Sequence, residues 1–266
     1  MKVITLASGS KGNCTYIQTD KVKVLVDAGV NLGEIENKLN MLDVNPKDIS
    51  CIFVTHEHSD HIKSVGAFAR KNGSMVIANE KEWEVLEDKL GKLKTTQKVS
   101  YSSPAFMVED LKVRAYKLSH DSYTCFGYSF SNNQNKIAIA TDLGYAPTNV
   151  VDELKGSDLV ILEANHDEKL LLNNPKYSIS LKKRILSKKG HLSNVTSSNV
   201  ISQLVGTGTK QIVLAHLSEE NNTPTLAYNT VKNELYKNGI IEGEHIFIDV
   251  STQHEMGNLF NLKNKE

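Results

Sequence analysis

Along the chain, short apolar runs rich in β-branched residues alternate with stretches whose apolar positions recur every three or four residues. The first kind suits strands, whose side chains alternate between two faces, and the second suits helices that bury one stripe. The pattern predicts strands at Lys2–Ala7, Thr15–Thr19, Lys23–Val26, Ile52–Val54, Met75–Ala78, Lys112–Leu118, Phe126–Ser131, Ile137–Ala140, Leu159–Leu162, Ile212–Ala215 and Ile246–Ile248. The clearest helix is Pro224–Asn238. Thr223 stands at its N-cap, Pro224 at its first position and Gly239 just past its end, while Ala227, Val231 and Leu235 form a stripe at four-residue spacing. Ile62–Lys71, Glu80–Leu90, Pro147–Lys155 and Asn194–Val205 also read as helices, and helices are expected in most remaining gaps. With no fixed-period repeat and no low-complexity linker, residues 1–266 read as one α/β (α+β) domain, large enough for a substantial core, whose polar tail frays from about Gly257.

Composition removes several function classes. Lysine plus arginine equals aspartate plus glutamate at 31 each, so no global field draws the protein to nucleic acid or anionic lipid, and any polyanion site is local. One candidate is the acid-free run from Lys169 to Lys189, which holds Lys169, Lys176, Lys182, Lys183, Arg184, Lys188 and Lys189. It reads either as a solvated helix face or as a set of phosphate contacts. Cys14, Cys51 and Cys125 are odd in number and far apart, which suggests neither a disulfide framework nor a cysteine zinc site and fits a reducing, cytoplasmic setting. The opening MKVITLASGS is too short and interrupted for a signal peptide, and no later run approaches a membrane span.

The chemistry is concentrated at strand ends. VLVD ends at Asp27, CIFVTH at His56, VRAYKLSH at His120, KIAIATD at Asp142, DLVILE at Glu163 and QIVLAH at His216. Sites in α/β sheets assemble where loops leave the carboxyl ends of strands. The segment THEHSDH, residues 55–61, packs three histidines and two carboxylates together, a density that packing does not explain and a shared cation does. In an extended loop His56 and His58 point the same way toward one ion, and a turn into the helix at Ile62 lets Asp60 and His61 face a second. His120, His216 and Asp142 suit the remaining positions.

H-x-H-x-D-H after a buried strand, preceded by VLVDAG and followed by distant His, Asp and His, resembles the metallo-β-lactamase superfamily. The strings LASGSKGNCTYI, TDLGY, EANHD, GHLSN and AHLSEENN narrow the resemblance to the bacterial YycJ/WalJ family of metal-dependent exonucleases. The resemblance implies a four-layer αββα sandwich, with two mixed β-sheets flanked by helices, and a 5′-to-3′ DNA exonuclease as function. It makes His56, His58 and His120 ligands of one divalent ion and Asp60, His61 and His216 ligands of another, with Asp142 bridging and Asp27 bracing the ligand loop. Zn²⁺, Mn²⁺ or Fe²⁺ suits that set.

Glu163 and His191 resemble the Glu and His pair of phosphodiesterase branches. Held by Glu163, His191 would protonate the departing 3′ oxygen, so Asp60, Glu163 and His191 are the expected catalytic residues. His191 also precedes the helix expected at Asn194, whose positive end suits a phosphate. The 73 residues between Asp142 and His216 leave no room for the large insertion of RNase J and its kin. Ser8 and Ser10, in the glycine-rich Ser8–Asn13 loop, read either as phosphate contacts, with Lys182, Lys183 and Arg184, or as an ordinary strand-to-strand turn. Asn165 and His166 sit beside Glu163 and are expected to line the site, while His245 and His254 fall outside every motif. A small ester, thioester or cyclic-phosphate hydrolase and a non-catalytic metal-holding module remain as alternatives. DNA is the expected partner and no membrane is expected; oligomeric state is not legible.

Overall fold

The computed structural model describes residues 1–262. Its strands are β1 (Lys2–Ala7), β2 (Cys14–Gln18), β3 (Lys23–Val26), β4 (Cys51–Phe53), β5 (Met75–Asn79), β6 (Lys98–Tyr101), β7 (Ala105–Val108), β8 (Leu111–Lys117), β9 (Phe126–Ser131), β10 (Lys136–Ala140), β11 (Leu159–Glu163), β12 (Gln211–Ala215), β13 (Phe247–Val250) and β14 (Phe260–Asn261). Its α-helices are α1 (Leu32–Met41), α2 (Ser59–Ile62), α3 (Val65–Asn72), α4 (Trp83–Leu90), α5 (Thr148–Leu154), α6 (Glu168–Asn173), α7 (Ile179–Ile185), α8 (Asn194–Ser202) and α9 (Pro224–Lys237).

The strands form two seven-stranded mixed sheets, in the orders β14-β1-β2-β3-β4-β5-β6 and β13-β12-β11-β10-β9-β8-β7. Alternation along the strands gives each sheet two apolar faces. The inner faces meet in a shared core that includes Val3, Ile17, Phe53, Tyr128, Phe130 and Val213. The outer face of the first sheet buries Ile35, Leu39, Phe68 and Leu86 from α1, α3 and α4. That of the second buries Val151, Leu154, Ile201, Ala227, Val231 and Leu235 from α5, α8 and α9. Helix, sheet, sheet and helix therefore stack in the four layers expected. Within each sheet one half is parallel and runs out to an edge, β3-β4-β5-β6 in one and β10-β11-β12-β13 in the other. Their carboxyl ends deliver Asp27, His56, Asp142, Glu163 and His216 to one edge of the sandwich.

Several expected elements differ. The polar tail does not fray at Gly257: Gly257 N–H donates to Thr5 O at 2.9 Å, β14 pairs with β1, and Leu262 N–H donates to Met1 O at 2.8 Å. The remainder of the predicted tail, 263–266, lies outside the described residues. The helix expected over Ile62–Lys71 starts earlier and breaks, because Ser64 turns its hydroxyl onto Val30 O at 2.6 Å and its amide onto Ala28 O at 2.8 Å. The helix expected over Glu80–Leu90 begins only at Trp83, since Glu80 N–H still pairs with Tyr101 O in sheet fashion. β6, β7 and β14 were not predicted; β7 is a four-residue edge strand with half-exposed alternation and carries little sequence signal.

Phe53 is the pin between the sheets. It is fully buried on β4, and its ring centroid lies 5.1 Å from that of Phe130 and 5.5 Å from that of Tyr128 on β9. Phe53→Ala is expected to cost about 3–5 kcal/mol by lost burial and a residual cavity. Urea unfolding of the metal-free protein measures it, and a loss below about 1 kcal/mol would mean that the sheets do not depend on this contact.

Candidate metal centre and its proton donor

Three strand ends turn sharply. Asp27, Asp142 and His216, each following a strand, have φ of 60°, 64° and 56°, a left-handed conformation that costs a non-glycine residue about 1–2 kcal/mol. The turns bring three polar side chains back over the sheet edge. Gly29 allows the next approach: a Cβ there would lie 1.7 Å from Asp60 O, so the loop after β3 can pack against the THEHSDH segment only as glycine. Asn13 N–H donates to Asp60 O at 2.8 Å and Ala28 N–H to His61 O at 2.9 Å, which clamps the segment from two sides. Tyr128 holds its start, donating to Val54 O at 2.7 Å.

These constraints fix which nitrogen each histidine presents. His61 Nδ1 lies 2.7 Å from Asp27 Oδ2, His216 Nδ1 2.9 Å from Glu163 Oε1, His120 Nδ1 3.3 Å from Gly190 O and His56 Nδ1 3.1 Å from Thr55 Oγ1. With each Nδ1 tied outward, each Nε2 faces the centre. There His56 Nε2 approaches His58 Nδ1 at 3.1 Å, and His216 Nε2 lies 3.5 Å from both Asp60 Oδ2 and Asp142 Oδ1. Asp142 stands between the groups, 3.7 Å from His120 Nε2 and 3.2 Å from His61 Nε2.

The residues fit divalent cations. Donor atoms of His56, His58 and His120 lie within 4.8 Å of one another, as do those of Asp60, His61 and His216 and those of His56, His61 and Asp142. Asp142 Oδ2, fully enclosed, has no hydrogen-bond partner among the described residues despite its approach to His61, so the two groups converge on a common point rather than on each other. Buried carboxylates and imidazoles without cations strain one another's ionisation. Burial pushes His61 down, but Asp142, Asp60 and Asp27 outweigh it and raise its pKa well above the ordinary value. His56, with burial and His61 beside it, is pushed well below.

Glu163 is fully buried and shared. Its Oε1 accepts from His191 Nδ1 at 2.8 Å and from His216 Nδ1 at 2.9 Å; its Oε2 accepts from Leu192 N–H at 2.9 Å and Leu143 N–H at 3.2 Å. Burial raises a carboxyl pKa, yet the two histidines, His191 first, bring this one down to about 2. His191, with Nδ1 committed to Glu163, leaves Nε2 toward a surface cavity of about 390 Å³ that it lines. Glycine makes this possible: a Cβ at Gly190 would meet Ile185 O at 1.9 Å, and His191 N–H donates to that carbonyl at 2.9 Å.

The remaining candidates divide. Ser8 does not offer a phosphate contact; it is buried, and its Oγ accepts the His216 N–H at 2.8 Å. Ser10 is exposed and lines the cavity. Lys182, Lys183 and Arg184 do not form one face, since successive helical residues turn about 100° apart. Lys182 donates to Leu172 O at 2.7 Å, and Arg184, bonded to Asp121, lines the cavity. The start of α8 is not open to a phosphate either: the amides of Leu192, Asn194 and Thr196 are taken by Glu163, His166 O and Ser193 Oγ. Asn165 lines the cavity, whereas His166 is buried with both ring nitrogens unpartnered among the described residues, its pKa pushed down to about 4 by burial. Glu57 leaves the centre, its Oε1 accepting Tyr123 N–H at 3.1 Å, beside Glu82, whose pKa burial and Glu57 raise to about 8. Sequence reasoning missed Thr55, Asn13, Asp121 and Tyr177, none of which stands in a ligand-like pattern.

A family model described as a beta-lactamase superfamily domain matches residues 22–217. The exodeoxyribonuclease YycJ of Bacillus anthracis is 40% identical over 240 residues, 90% of each chain. The exodeoxyribonuclease WalJ of Streptococcus pneumoniae is 39% identical over 237 residues, 88% of each. Among solved structures, the metallo-beta-lactamase fold protein YhfI of Bacillus subtilis aligns with a TM-score of 0.72 at 15% identity, covering 98% of this chain and 99% of that one. Zn²⁺-bound PqqB of Methylobacterium extorquens aligns at 0.71 and 12%, covering 98% and 100%, and both share the fold.

Asp27 accepts from Thr55 N–H at 2.9 Å and Thr55 Oγ1 at 2.8 Å besides His61, so it orients the whole segment. Asp27→Ala should lower divalent-metal affinity about 10- to 100-fold, and Asp27→Asn less. Competition against a chromophoric chelator reads it; unchanged affinity in Asp27→Ala would remove the bracing role.

Proposed function

Given that the chain belongs to the metallo-β-lactamase superfamily, as a YycJ-like hydrolase of phosphodiester bonds, we propose that it is a cytoplasmic, two-metal, 5′-to-3′ DNA exonuclease serving DNA metabolism or repair. The observation that carries this reading is the Glu163 carboxylate held jointly by His191 and His216, which sets a proton donor directly beside the converging donor groups. A thioester or β-lactam hydrolase has less need of such a donor; cleavage of a nucleic acid must protonate a 3′ oxygen.

In this reading His56, His58 and His120 hold one divalent ion, Asp60, His61 and His216 the other, and Asp142 both. Bound there, Zn²⁺, Mn²⁺ or Fe²⁺ would supply a nucleophile at neutral pH and neutralise charge on the phosphoryl oxygens. Burial disfavours charge on His191, but Glu163, and then Asp142, outweigh it and raise its pKa. In this reading the protonated form of His191 is favoured, and its Nε2 gives the proton to the leaving oxygen. Asn165 and the loop at Ser10 shape the approach. The three cysteines, all buried and free, suit a reducing compartment, and no helix among the described residues is long and apolar enough to cross a membrane.

End-labelled DNA tests the reading. With Zn²⁺ or Mn²⁺ supplied, a 5′ label should appear at once in the smallest product while a 3′-labelled strand shortens as a ladder; the reverse pattern would overturn the polarity, and no hydrolysis with any divalent metal the nuclease assignment.

Metal analysis of reconstituted protein should approach two ions per chain, and Asp142→Ala should lose most of both. One ion or none in the wild type would end the two-metal reading.

His191→Ala should keep its metals and lose about 10²- to 10⁴-fold in DNA turnover, with a smaller loss on a nitrophenyl phosphodiester whose leaving group needs no proton. Equal losses on both substrates would count against the acid role.

A further inference from the structure

The cavity that His191 lines has walls from five places: Ser10 in the β1–β2 loop, Asp121 after β8, Asn165 after β11, Ser218 after β12, and Tyr177 and Arg184 just before and on α7. At about 390 Å³ it lies at the small end of the roughly 300–1,000 Å³ range of small-molecule sites, with room for one nucleotide and not for a strand. Tyr177 is half-buried and lines the cavity, and among the described residues its ring contacts no other aromatic ring and its hydroxyl has no partner. Arg184 is bonded to Asp121 through Nε, and no hydrogen bond or ion pair among the described residues engages its terminal nitrogens.

We propose that this cavity seats the 5′-terminal nucleotide, its base on Tyr177 and its 5′ phosphate toward Arg184 and Ser10, so that the protein releases mononucleotides. The inference rests on the nuclease reading above and deepens it. The decisive point is which side of the scissile phosphate the cavity occupies. Water attacks phosphorus and the P–O3′ bond breaks. O3′ takes the proton of His191 Nε2, the attacking water gives up one proton to solvent, and His191 is reprotonated from solvent. The nucleotide next to His191 is therefore the one that carries O3′. In 5′-to-3′ digestion that nucleotide is the terminal one, which departs with its own 5′ phosphate and a new 3′ hydroxyl and leaves a phosphate on the shortened strand. A seat of one-nucleotide size on this side fits a residue that departs; a strand that continues would need a groove running on from it.

The seat is tested with single strands that carry either a normal or an abasic 5′-terminal nucleotide. The wild type should remove the normal one on the order of ten- to hundred-fold faster, the range of base stacking on an aromatic ring. Tyr177→Ala should bring the ratio close to one, and Tyr177→Phe should restore it, which separates stacking from misfolding. First products should be mononucleotides. Equal rates for the two ends in the wild type, or initial release of dinucleotides or longer pieces, would overturn the seat. Calorimetry with dAMP separates this from failure of the nuclease reading, since it needs no turnover. Saturable binding that weakens ten- to hundred-fold in Tyr177→Ala supports the seat even if no DNA is cut, and absent binding, or binding equal in the two proteins, rejects it.

Discussion

One buried carboxylate organises the centre. Glu163 is completely enclosed at the end of β11, where a charge is tolerated only if its oxygens are fully engaged. Three backbone amides, of Asp142, Leu143 and Leu192, and two imidazoles engage them. Each partner belongs to the site: the loop that presents Asp142, the loop that presents His191, and the ring of His216. The positions of the His191 and His216 rings, and which nitrogen of each faces away from Glu163, are thereby set by a single group. Removing its charge would disturb both rings at once, so the effects would not divide between them.

The framework supplies what this carboxylate cannot, which is distance control. Parallel strands end in register, and the left-handed turns at Asp27, Asp142 and His216 fold the next side chain back over the edge. Strain of that kind persists only where the surroundings impose it, and here both sheets do. Phe53 and Tyr128 join the sheets, and Tyr128 also bonds the carbonyl of Val54, two residues before His56. Core packing and ligand placement are thus parts of one connected structure rather than a scaffold with a site added to it.

What was legible in the sequence follows the same division. Strands β1, β3, β9 and β10 were readable nearly to the residue because each is a β-branched or aromatic run with turn signals at its ends. Edge strands β7 and β14 were not, since a two- to four-residue strand gains its conformation from its neighbour and not from its own composition. Residues 56, 58, 60, 61, 120, 142 and 216 could be grouped because strand ends repeatedly carried ligand-type side chains. Nothing local marked Ser8 as a bond to the His216 amide, or Tyr177 as a cavity wall, because both roles are created by segments far apart in sequence. The basic run divides for a related reason: charge is visible in sequence, but the helical turn that sends Lys182 to Leu172 O and Arg184 to the cavity is not.

Charge at the centre also resolves the tension between a neutral chain and a polyanionic substrate. Asp27, Asp60, Asp142 and Glu163 gather four carboxylates around His61 and His216. Divalent ions held there would offset these carboxylates locally without altering the balance of 31 basic and 31 acidic side chains over the whole chain. On the proposed reading no broad basic surface is needed, because the attraction for DNA would come from the bound ions and be confined to the phosphate being cut. Affinity would then depend on metal loading first and on the proposed nucleotide seat second.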